Sequence, residues 1–196
     1  MFKKLFFTVF CIIFSVSLSY TANTTNSYVT ELIKSKTDKA VSLINNKNLN
    51  EKEKKDKIFK IIAPLFDVDI MSKLTLGRKY WPKLSEAQKE RFKELFKKRI
   101  KMVYLDRVSI SSDLKVTYKE AIKKGSKIIQ VPSVFIVKNK NYSVLFKLWH
   151  AKKGWKIYDI EVEGISIIRT YRSQFQDILS KGSIDDLFKK LEEITK

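Results

Sequence analysis

The sequence predicts an α+β fold: a curved antiparallel four-stranded meander with helices packed on its apolar face, enclosing an apolar cavity. Three observations predict it. Apolar residues recur at helical spacing up to Tyr104, the period drops to two from Leu114 to about Glu163, and helical spacing returns from Ile168. The connections inside the period-two region, KKGS, KNKN and KKG, are short enough for hairpins. No segment repeats another, and the length suits one layered domain or two small lobes sharing a core.

The chain opens with Lys3-Lys4 and then the uncharged, mostly apolar run from Leu5 to Leu18. Ser17 and Ser19 are small. A basic start, a short apolar run and a small-residue exit predict a secretory signal peptide over residues 1–19, cleaved after Ser19 or, as a second choice, Ala22. The domain then spans 20–196, and the polar TANTTNS stretch behind the run is expected to be extended. The run is short for a membrane span, which needs about 20 apolar residues.

In the first helix Val29, Leu32, Ile33, Ala40, Leu43 and Ile44 share one stripe, ending at Asn45-Asn46-Lys47-Asn48. Asn50 with Glu53 predicts a capping box for a second helix bearing Ile58, Phe59, Ile62 and Leu65, interrupted by Pro64. Asp67 is placed to cap a third helix carrying Ile70, Met71 and Leu74, stopped by Gly77. Ser85 with Gln88 opens a long fourth helix with the stripe Phe92, Leu95, Phe96, Ile100 and Val103, and Tyr104 beside it.

Four strands are expected over 114–122, 127–137, 142–151 and 155–163. The proposed register sets Val137 against Tyr142, Val134 against Leu145 and Leu148 against Tyr158, with Lys147 opposite Asp159. One face then collects Leu114, Val116, Tyr118, Ile129, Val131, Phe135, Val137, Tyr142, Val144, Phe146, Leu148, Tyr158, Ile160 and Val162. The other holds Lys115, Lys119, Gln130, Lys147 and Glu161 among some apolar residues. A helix bearing Ile168, Tyr171, Phe175, Ile178 and Leu179 follows, then a last one bearing Leu187, Leu191 and Ile194.

Composition narrows the chemistry. Cys11 is the only cysteine and lies in the apolar run; His150 is the only histidine. No disulfide, thiolate chemistry or zinc site is expected in the processed chain, and no cofactor, since no glycine-rich nucleotide motif or GxSxG element occurs. The net charge is +19, or +17 without Lys3 and Lys4. In an exported chain that excess suits anionic lipid or acidic protein, and nucleic acid is not expected. Asp159, Glu161 and Glu163 alternate near His150, yet Asp159 has a lysine partner, so no catalytic residue is assigned. The one-sided sheet suggests an apolar ligand. The lining expected for it is Phe135, Val144, Phe146, Leu148, Tyr158, Ile160 and Val162 on the sheet, with Ile100, Val103, Tyr104 and Tyr171 on helices. An exported enzyme using Asp159 or His150 in such a pocket, and a basic adaptor without a small ligand, are the alternatives.

The run Trp155-Lys-Ile-Tyr-Asp-Ile-Glu-Val-Glu-Gly-Ile-Ser-Ile-Ile-Arg-Thr-Tyr-Arg-Ser-Gln-Phe175 resembles the signature of the MlaC family, the toluene-tolerance auxiliary proteins. Phe66-Asp67, Leu76-Gly77, Tyr80-Trp81, Gln88, Phe92 and Tyr104 match it in order, with one residue more between Gly77 and Tyr80-Trp81 than in the family form. The resemblance implies a periplasmic phospholipid-binding protein without enzymatic activity. It also implies exchange of lipid between an outer-membrane lipoprotein complex and an inner-membrane ABC transporter with an MCE-domain subunit, maintaining outer-membrane lipid asymmetry.

Overall fold

The structure is a computed structural model that describes the backbone of residues 17–108 and 113–193, with the side chains of 24–102 and 113–193. Among the described residues the α-helices run in the order α1 (Ser17–Ile44), α2 (Glu51–Ile62), α3 (Val68–Tyr80), α4 (Glu86–Val108), α5 (Ile167–Lys181) and α6 (Ile184–Glu193). Between α4 and α5 run β1 (Lys115–Tyr118), β2 (Ile122–Lys123), β3 (Ile128–Val137), β4 (Lys140–Ala151), β5 (Gly154–Val162) and β6 (Ile165–Ser166). The sheet is antiparallel in the order β1-β3-β4-β5-β6, with β2 also on β3.

The helix starts follow the sequence. Asn50 and Glu53 form the reciprocal capping box of α2, and Ser85 and Gln88 form that of α4. Asp67 caps α3, accepting from Ile70 N at 3.0 Å. Pro64 sits in a 3-10 turn, Ala63–Leu65, immediately after α2. Gly77 has φ +67° and ψ −177°, a conformation essentially restricted to glycine, and it breaks α3 one turn before its end. The expectation of an extended segment after the apolar run is overturned: residues 21–27 are helical and continue into α1. Thr24, Thr25 and Ser27 are exposed, so this part of the helix runs on in solvent beyond its buried stripe. The apolar run itself lies outside the described residues.

Among the described residues the sheet has six strands where four were expected. The 114–122 segment divides into β1 and β2, because 119–121 leave the ladder while both flanks pair with β3. The β3–β4 register is displaced by two residues from the expected one: Phe135, rather than Val137, faces Tyr142. The cause is the turn. Lys138 and Asn139 both have positive φ and close a two-residue loop, so the strands run on to Val137 and Lys140. A displacement of two preserves which face each residue occupies. Lys147 does face Asp159, but the ladder then slips, so Leu148 meets Ile157 instead of Tyr158. Tyr158 is the extra residue of this bulge.

The helices do not all pack on the apolar sheet face, as the sequence had suggested. Val29 and Ile33 of α1 lie over Ile129, Val131, Val144, Phe146, Leu148 and Ile157. Ala40 and Ile44 of α1, Ile58 of α2 and Leu114 form a smaller cluster towards the β3–β4 turn. Helices α3 to α6 instead build a core of their own around Phe92, Phe96, Tyr171, Phe175, Leu187 and Phe188. Its aromatic rings interlock, with Phe96 edge-on to Tyr171 at 5.3 Å between centroids and Phe92 edge-on to Phe175 at 5.6 Å.

Candidate functional site: the apolar sheet face

Alternation along β3, β4 and β5 sets Val131, Ser133 and Phe135 beside Val144, Phe146 and Leu148, and these beside Ile160 and Val162. At the end near β2 this face is sealed by α1: Val29, Ile33, Val131 and Leu148 are fully buried. Towards the β3–β4 turn the cover thins. Val116, Phe135, Val137 and Ile160 are half-buried, Val162 is 37% exposed and Tyr142 is 39% exposed. An apolar sheet face thus passes from sealed core into an open margin among the described residues. Phe59 and Ile62 of α2 pack on the cluster beside that margin.

Ser133 lies in the middle of this face at 3% exposure, and its Oγ has no hydrogen-bond partner. A buried hydroxyl left unpaired costs about 1–3 kcal/mol. Its position on this face is readable from the alternation Ile129, Val131, Ser133, Phe135, although it is absent from the lining expected above. At the rim, Tyr118 Oη donates to Asp38 Oδ1 at 3.0 Å, and burial is the main cause that pushes its phenol well above the ordinary value.

Of the lining expected from sequence, Phe135, Val144, Phe146, Leu148, Ile160 and Val162 come together here. Ile100 instead packs against the helical core. The side chains of Val103 and Tyr104 lie outside the described residues. Tyr158 is on the opposite face, lining a hollow with Lys147, Asp159 and Glu161, because the bulge rotates it away from Ile157 and Ile160. Tyr171 is buried between Phe96 and Phe175 rather than against the sheet. Residues that sequence reasoning left out of the lining include Val29, Leu32 and Ile33 of α1. Their helical stripe was visible, but which layer it covers was not.

The reason for the position of Tyr171 lies in the polar face of the sheet. Asp159, 4% exposed, accepts from Ser166 Oγ at 2.8 Å and from Ile168 N at 3.2 Å, so it holds the start of α5 against that face. Lys147 reaches Asp159 at 3.3 Å and also contacts Glu161. Burial opposes the charge of Lys147, but the two carboxylates outweigh it and raise its pKa above the ordinary lysine value. Ser166 caps α5 by accepting from Arg169 N at 3.1 Å. Helix α5 therefore turns its stripe away from the apolar face. His150 is elsewhere, exposed and edge-on to Trp155 at 5.1 Å between centroids. The two groups weighed for acid–base chemistry are not brought together.

The Trp155–Phe175 run thus forms one connected device of strand, tight turn, cap and helix. The profile of the MlaC protein family matches residues 34–193. The chain belongs to the MlaC family. A curated relative, the toluene tolerance protein Ttg2D of Pseudomonas putida, is 28% identical over 131 residues. That alignment spans 66% of this chain and 61% of the relative's length. A phospholipid-binding protein from Ralstonia solanacearum, solved in complex with a phospholipid, superposes with a TM-score of 0.75 at 22% identity, covering 85% of this chain and 96% of that one. The fold is therefore that of the MlaC family, with α1 across the sheet and a separate helical core. No helix among the described residues is long and apolar enough to cross a membrane.

Proposed function

We propose that this protein is a periplasmic phospholipid carrier that holds acyl chains against the sheet face of Phe135, Val144, Phe146, Ile160 and Val162. In this reading it passes lipid between an outer-membrane lipoprotein complex and an inner-membrane ABC transporter bearing an MCE-domain subunit, without chemical conversion. One observation carries the reading: the face continues from sealed core to an open apolar margin at Val162 and Tyr142. Family membership and the lipid held by a protein of the same fold support it.

The energetics explain why a carrier is needed. A two-chain lipid exposes about 30 methylenes in water at about 0.8 kcal/mol each, or about 24 kcal/mol before the tails fold back on themselves. Enclosure by apolar side chains removes most of that barrier, while an open margin lets the lipid leave. Native extraction followed by lipid mass spectrometry tests the reading. Bound phospholipid, or uptake of labelled phospholipid from donor vesicles, is expected. A protein that carries none and takes none would overturn it.

A further inference from the structure

Two populations stand out among the lysines of this chain. Many sit beside acids: Lys34 with Asp38, Lys54 with Glu51, Lys89 with Glu86, Lys93 with Asp69, Lys101 with Asp56 and Lys147 with Asp159. The second population gathers at the end of the sheet away from the open apolar margin. The end of β2 carries Lys123, the β2–β3 connection Lys124 and Lys127, and the β4–β5 turn Lys152 and Lys153. The two tips are neighbours, since Ile128 pairs with Trp149 and His150 N donates to Lys127 O at 2.9 Å. All five side chains are exposed, and none makes an ion pair among the described residues. Neither 121–128 nor 149–156 contains an acid. Like charges so placed repel one another, and nothing in these two segments compensates them.

Aromatic rings accompany this charge. Tyr28 of α1, 62% exposed, lines a surface hollow with Ser126, Lys127, His150 and Trp155. Asn26 Nδ2 donates to Ala121 O at 3.2 Å and ties the N-terminal half of α1 to this end of the sheet.

We propose that this end of the sheet docks the protein on an anionic phospholipid bilayer, with the five lysines at headgroup phosphates and Tyr28 and Trp155 in the interfacial layer. The composition favours a bilayer over an acidic protein. Protein interfaces enrich arginine and deplete lysine, whereas these two segments hold lysine and no arginine. Mobile headgroups need point charges on flexible stems rather than a fixed bidentate fork. Tyrosine and tryptophan, with an apolar body and a polar edge, suit the boundary between headgroups and acyl chains. Docking at this end leaves Val162 and Tyr142 facing away from the bilayer, open to a second partner. This surface is separate from the sheet-face ligand, so its test stands apart from that of the carried lipid.

The test is vesicle co-sedimentation with phosphatidylcholine alone and with phosphatidylcholine plus phosphatidylglycerol. The full chain is compared with a variant carrying Lys123→Gln, Lys124→Gln, Lys127→Gln, Lys152→Gln and Lys153→Gln. A control variant loses the same charge from helix and loop surfaces through Lys39→Gln, Lys47→Gln, Lys52→Gln, Lys97→Gln and Lys98→Gln. All share one N-terminus, so differences report the lysines. The wild type is expected on anionic vesicles only, with binding weakened by salt. The sheet-end variant should bind at least about tenfold more weakly and the control within about twofold of wild type. Circular dichroism melts establish that both variants fold. On the wild type, hydrogen exchange should slow at 123–127 and 152–154 when anionic vesicles are added. Equal losses from both variants, or no slowing at those turns, would overturn the proposal. So would wild type that ignores vesicles at low salt but binds polyglutamate through the same lysines, since the partner would then be an acidic protein.

Discussion

Replacing Val144 by tryptophan separates a ligand-bearing face from a solid core. Val144 is buried, paired across the sheet with Ser133 on one side and Val162 on the other. The first neighbour is sealed and the second is open, so Val144 stands where core gives way to margin. In a solid core an indole would force its neighbours off their rotamers at a cost of about 1–3 kcal/mol. At about 2–4 °C per kcal/mol for a domain of this size, the melting temperature would fall by about 2–12 °C. On a face that accommodates acyl chains the indole occupies the ligand's volume instead. The protein as purified should then hold much less lipid, with a melting temperature, after lipid removal, within about 2 °C of the delipidated wild type. Lipid mass spectrometry and thermal melts on both proteins, before and after delipidation, give the answer. A destabilised variant that keeps its full lipid complement would refute the placement of the acyl chains.

Other consequences follow from the turns and the buried carboxylate. Gly164 has φ +75° and open space where a Cβ would point, so Gly164→Val should cost only backbone strain, about 1–2 kcal/mol by thermal melt. Gly77→Ala should cost more, because a Cβ there would also lie 2.8 Å from Arg172 Nη2; equal losses for the two would mean that the arginine simply moves aside. Asp159→Ala removes the acceptor shared by Ser166, Ile168 N and Lys147, and should cost about 1.5–3 kcal/mol in urea melts. A loss below half of that would show that the start of α5 is held by other contacts. N-terminal sequencing of the exported protein should begin at Tyr20 or Asn23; an intact Met1 in the membrane fraction would contradict cleavage of the apolar run.

Much of the local architecture was determined by the sequence itself. Asn50/Glu53, Asp67 and Ser85/Gln88 act on backbone groups a few residues away, so their caps are readable without knowing the fold. The side-chain period of two likewise placed Phe135, Val144, Phe146 and Leu148 on one face, and a two-residue error in register left that assignment intact. Tertiary structure decided the rest. A slip of a single residue at the β4–β5 bulge sends Tyr158 to the polar face, since an odd shift inverts every side chain beyond it. The stripe of Tyr171 and Phe175 was legible as apolar, but a helix stripe records that it is buried, not what buries it. That choice rests with Asp159, which anchors Ser166 and Ile168 to the opposite side of the sheet and leaves the apolar face to α1. Such a contact joins groups that periodicity treats as independent, and only the folded chain brings them within bonding distance.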